Sequence, residues 1–85
     1  MIEVVNKRYI FCFDGRVLEV FTIDGETRRF HIAHIRKIEL LQLYNEWRLS
    51  MEYTDLKNLI RIDVEDDAVT AMENLISVVR DTLAT

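Results

Sequence analysis

Proline is missing from this chain, glycine occurs only at Gly15 and Gly25, and cysteine only at Cys12. Without proline- or glycine-rich stretches there is no composition for a flexible linker or a low-complexity tail, so residues 1–85 read as one domain. A single cysteine excludes an internal disulfide framework and fits a reducing, cytoplasmic setting. It also leaves a zinc site short of thiolates. No run approaches the roughly 20 apolar residues of a membrane-spanning helix, so no membrane span is expected. The opening residues, MIEVVNKRYI, have no long apolar stretch behind a basic start, so no targeting segment is expected either. An excess of positive charge is lacking too: eleven basic against fifteen acidic residues give a net charge of −4. A surface of that sign does not suit duplex nucleic acid, and any anion binding has to be local.

What the chain does have is apolar material, 49% of its residues, including Trp47, three tyrosines and four phenylalanines. A domain this small, without staples, folds on burial alone, and this supply is adequate. Two turn signals organise the first part. Asp14-Gly15 and Asp24-Gly25 are dipeptides that close tight hairpins, because glycine accepts the positive φ such turns need. The flanking segments alternate at the two-residue period of a strand. Tyr9, Phe11 and Phe13 share one face, and Phe30 shares a face with Ile32 while Arg29 and His31 take the other. Trp47, Leu49, Met51 and Tyr53 alternate with Arg48, Ser50 and Glu52, and Ile60, Ile62 and Val64 form a further apolar face. These patterns predict strands over 8–13, 16–23, 27–32, 35–43, 46–53 and 58–64, with turns at Tyr44-Asn45 and at residues 54–57. Met1 to Val5 is an optional seventh strand.

The period then lengthens. Ala68, Met72, Leu75, Ile76, Val79 and Leu83 recur at three and four residues, the stripe of an amphipathic helix over 66–83. Glu65, Asp66 and Asp67 stand at its start, where capping and the helix dipole favour acids. Short twisted strands with one apolar face bury it best by curling around a core. The expected fold is mainly β: a curled antiparallel sheet or partly open barrel of six or seven strands, capped by one C-terminal helix.

In this order of elements, and in the segments GRVLEVFTIDG, RFHIAHIRKIEL and WRLSMEY followed by the helix from Asp66, the chain resembles pleckstrin-homology-like domains, in particular the small bacterial and GRAM types. The resemblance covers most of the chain as a pattern of elements. It implies a short turn-like segment with spaced aliphatics between two strands, a role that Ile32, Ile35 and Ile38 fill. It also implies a binding or assembly module. Lipid-binding relatives hold inositol phosphates with several Lys and Arg around the loop joining their first two strands. Here the corresponding loop is read as FDGR, with Asp14 in it and Arg16 alone after it, which argues against tight phosphoinositide recognition.

One segment is locally basic. From Thr27 to Ile38 the chain holds Arg28, Arg29, Arg36, Lys37 and both histidines, and no acid. Arginines can grip phosphate or carboxylate bidentately, so Arg28, Arg29, His31, Arg36 and Lys37 form the candidate anion- or partner-binding set. The alternative is a solvated strand face paired with acids such as Glu19 and Glu26. His31 and His34 at a strand end and bend project to opposite faces and lack a third ligand, so no metal site is expected. Cys12, within YIFCF, reads as buried rather than reactive. The acidic run from Asp63 to Asp67 lacks the glycine and spacing of a calcium loop. No glycine-rich phosphate loop, serine elbow or paired carboxylates at catalytic spacing occur, so neither an enzyme nor a cofactor is expected. Tyr44 and Trp47 flank a turn, with Trp47 assigned to the core. The function expected is therefore a non-enzymatic protein-interaction or self-assembly module, whose partner is another protein or a second copy. The alternative is binding of an anionic ligand or phosphate-bearing partner through the basic 28–37 segment.

Overall fold

In the computed structural model, which describes residues 1–53 and 58–84, seven strands form two antiparallel sheets. β1 (Ile2–Asn6), β2 (Tyr9–Phe13), β3 (Val17–Thr22) and β4 (Thr27–His31) make the first sheet in chain order. A single-turn 3-10 helix, Ile32–His34, leads into β5 (Ile35–Leu43), which pairs with β6 (Glu46–Tyr53), and β6 with β7 (Asn58–Val64). A second 3-10 turn, Asp66–Ala68, opens into the C-terminal helix α1 (Val69–Ala84). The optional strand at the N-terminus is thus a full member of the first sheet. The barrel does not close: no ladder joins the two sheets among the described residues. The turn expected at residues 54–57 lies outside the described residues.

Register explains the core. Across the first sheet, Ile2, Phe13, Leu18 and Phe30 form one inward row, and Val4, Phe11, Val20 and Arg28 the next. In the second sheet, Ile38, Met51 and Ile60 face inward beside Leu40, Leu49 and Ile62. Phe11, Phe13, Leu18, Ile38, Leu49 and Met51 are fully buried. α1 lies against β1, β5 and the first 3-10 turn, and buries Met72, Leu75, Ile76 and Val79, the stripe read from its spacing. Each such side chain removed from water contributes about 1.5–3 kcal/mol.

Local chemistry sets the turns. Asp14 accepts hydrogen bonds from the N–H groups of Arg16 and Val17, both at 2.8 Å, and Gly15 takes φ +100°, where a Cβ would be strained. The hairpins β1–β2 and β5–β6 place Lys7 (φ 51°) and Tyr44 (φ 53°) in the same left-handed region without glycine's freedom. Glu65 precedes the second 3-10 turn but makes no side-chain cap there. The acids at this start act through the helix dipole, Asp66 and Asp67 lying in the first turn.

Asn6 joins the two sheets. It is 1% exposed; its Nδ2 donates to the Asp63 carbonyl at 2.9 Å, and its Oδ1 accepts from the Glu65 N–H at 2.8 Å. Removing this carboxamide leaves a backbone donor and an acceptor without partners. Asn6→Ala should therefore cost about 2 kcal/mol, read as a lower urea midpoint at unchanged slope. A midpoint equal to the parent's would show that water replaces both bonds. Asp14 supplies a second expectation. Its two backbone donors hold its carboxyl below the ordinary value, so the unfolded chain binds the proton first as pH falls. The stability it contributes is present above the ordinary carboxylate range and is lost as pH drops through the folded-state value. Asp14→Asn keeps an acceptor without titrating, so its loss of urea midpoint between neutrality and about pH 3 should be smaller than the parent's.

Candidate functional site

The five basic-segment residues do not converge. Arg29 faces outward and pairs with Glu19, its register neighbour on β3, at 3.2 Å. Lys37 lies 3.5 Å from Glu39. Arg36 is exposed at the irregularity where the register of β5 against β6 shifts. His31 starts the first 3-10 turn, its Nδ1 accepting from the Ala33 N–H at 3.1 Å. Arg28 alone shares Phe30's face, and so ends the inward row that begins at Val4.

The histidines differ from expectation. Residues three apart eclipse on a 3-10 turn, whereas on a strand they oppose. His31 and His34 accordingly meet edge-to-face with ring centroids 6.1 Å apart, and His34 stacks on Tyr53 at 5.8 Å. The Tyr53 hydroxyl accepts from the His31 N–H at 3.3 Å, and its ring meets Phe30 edge-on at 5.3 Å. This aromatic corner fastens the end of β4 to β6. Among the described residues no group of three or more His, Cys, Asp or Glu is placed to hold a metal ion.

Arg28 opens onto a cleft of about 320 Å³ between the sheets. The first sheet contributes alternate residues to it: Tyr9, Val20, Thr22 and Phe30, with Glu26 and Arg28 at the rim. Alternate residues mean that this wall is the sheet's inner face. From β7 come three consecutive residues, Ile60, Arg61 and Ile62. Their side chains alternate, so the element they present in common is the backbone edge. A second hollow of about 410 Å³ shares Tyr9, Arg61 and Ile62 and continues past Lys7, Arg48 and Asp63. Together the two make a groove along β7, from Ile60 to the point where Asn6 binds.

Charge in this groove is mostly engaged. Arg48 pairs with Asp63 at 3.2 Å and Lys7 with Glu65 at 2.8 Å. Arg28 and Arg61 have no ion-pair partner among the described residues. The alternation TRRF already placed Arg28 on Phe30's face. Arg61 was not legible, because alternation with Ile60 and Ile62 sends it outward, and only the fold brings β7 opposite β4.

Two further readings change, the first turn and Cys12, whereas Trp47 packs against the core as expected. The turn joining the first two strands is Lys7-Arg8 rather than FDGR, because β1 precedes the strand taken as first. Cys12 is half-exposed, alternating with buried Phe11 and Phe13. Trp47 is half-buried, lining a hollow against α1 with Leu40, Ile76 and Arg80, while Tyr44 at the hairpin tip is fully exposed. No helix among the described residues is long and apolar enough to cross a membrane.

No family model, curated protein or solved structure matches this chain.

Burial, and then the Glu3 carboxylate 3.7 Å from the thiol, push Cys12 above the ordinary thiol value. The thiolate is the reactive form, so Cys12 should alkylate more slowly than a free thiol near neutral pH. Glu3→Gln should speed the reaction, and an unchanged rate would mean that Glu3 does not face the sulfur in solution.

Proposed function

We propose that this chain is a non-enzymatic protein-interaction module of pleckstrin-homology-like type that takes an extended segment along the free edge of β7. The observation that supports this is the triplet Ile60, Arg61 and Ile62, a strand edge that faces an open groove beside an apolar sheet face. The other sheet edges are covered in part. α1 lies along β5 and β1, with Arg80 Nε donating to the Ile38 carbonyl at 2.9 Å, and Tyr53 takes the end of β4. An unpaired edge is a template for another strand, and its main-chain groups supply affinity that depends little on sequence. Self-assembly is the form of this reading in which a second copy provides the segment.

A second reading, binding of an anionic ligand through the 28–37 segment, is favoured at one position. Arg28 has no ion-pair partner among the described residues, whereas Arg29 and Lys37 are paired with acids and His31 caps a turn. An anion held there needs Arg61 in addition.

Selection of displayed random peptides on the purified domain tests the proposal, followed by hydrogen exchange of the selected complex. Protection of the β7 amides at Arg61 and Asp63 is the expected result. Protection confined to α1 and β5 would move the site to the helix groove, and the edge reading would fail. Sedimentation equilibrium at low and moderate salt then tells a second copy from an outside segment.

A further inference from the structure

We infer that the segment accepted on β7 is an acidic extended peptide, one of its carboxylates held between Arg28 and Arg61. The inference rests on the edge-binding reading above and names the chemistry of its occupant. Asn6 reveals the geometry. Its carboxamide donates to the Asp63 carbonyl and accepts from the Glu65 N–H, the two groups that flank Val64 on one edge of β7. A side chain here stands in for the peptide unit of a neighbouring strand. By the two-residue period, the N–H and C=O of Arg61 lie on that same edge, next in line toward the cleft. The Asn6 contact fixes the upper limit of the site. From Ile60 to Val64 a strand rises about 13 Å, room for roughly four residues of an added strand.

Charge selects among such strands. The net charge of the chain is −4, so an acidic segment is repelled in general and is attracted only where cations stand unpaired. Arg28 and Arg61, contributed by different sheets to one cleft, meet that condition. Arg28 ends an inward row whose other members are apolar, and lines the cleft with Val20, Phe30 and Glu26. A guanidinium in that position can bind a carboxylate in two-point fashion. Glu26 at the same rim disfavours a second acid beside it, so a single carboxylate is recognised at the two arginines. The side chains flanking that carboxylate project to the other face of the peptide, where valine or isoleucine favours the extended form.

Fluorescence anisotropy with three labelled octapeptides of alternating valine decides the matter. One carries Glu or Asp at the intervening positions, one carries Lys, and one is the acidic peptide with alternate amides N-methylated. The acidic peptide should bind at least about tenfold tighter than the Lys peptide, with affinity falling as salt rises. Arg28→Glu, an exposed position, should remove that preference. N-methylation on the edge facing β7 should weaken binding by about tenfold or more, a loss that charge alone does not explain. Equal affinity for the acidic and Lys peptides, or indifference to Arg28→Glu, overturns the acidic assignment and leaves the edge reading standing. Salt-sensitive binding that survives N-methylation overturns strand addition. If no peptide binds and the domain dimerises with β7 protected, a second copy is the occupant and the inference is wrong. If no peptide binds and the domain stays monomeric, the edge reading falls with it.

Discussion

Asn6 carries a constraint that the remaining architecture follows. Two sheets that share no ladder among the described residues are held together by side chains, and the described core does most of this through α1, which reaches from β1 to β5. An apolar contact is tolerant of sliding, however, and does not fix how the edge of β7 lies against the end of β1. A buried carboxamide does, because both of its hydrogen-bonding groups must be satisfied at once and only one placement satisfies them. Lys7, next in sequence, adds an exposed pair with Glu65 that is worth little by itself. The clamp therefore decides where the β7 edge is covered and, by ending there, where the groove begins.

The same economy appears at the opposite corner. Tyr53 packs its ring against Phe30 and His34 and offers its hydroxyl to the backbone of β4. One aromatic side chain closes the seam at which the chain passes between sheets. With α1 on one side and Tyr53 and Asn6 at two ends, the sheets splay where no side chain bridges them. The groove is the remainder left by these three fastenings. Arg28 suits its rim, since an inward charge on an edge strand discourages indiscriminate pairing. In the interaction we propose, the backbone of β7 supplies affinity and the guanidinium of Arg28 selectivity.

Much of this was legible before any coordinates. Alternation in YIFCF, WRLSMEY and the segment around Ile60, with the two Asp-Gly turns, located six strands to within one or two residues. The three- and four-residue spacing from Ala68 onward located the helix and its buried face. The short segment at Met1 to Val5 was harder, because one buried valine beside exposed Val5 gives little alternation, and what buries Asn6 lies nearly sixty residues away. The basic segment misled for a related reason. Proximity in sequence suggested one patch, but strand geometry sends Arg28 and Arg29 to opposite faces, and a 3-10 turn separates both from Arg36 and Lys37.

The sequence by itself determined the local periods, the hairpin turns and the identity of the inward rows, because these depend on neighbours two to four residues away. It also determined that Arg28 shares a face with Phe30. Only the tertiary structure decided that the sheets stay separate, that His31 and His34 meet over a 3-10 turn, and that Arg61 stands across a cleft from Arg28. Those relations join residues dozens of positions apart through the packing of α1 and the bonds of Asn6. No local period encodes a pairing over that separation, since it exists only once both sheets have been buried against the same helix.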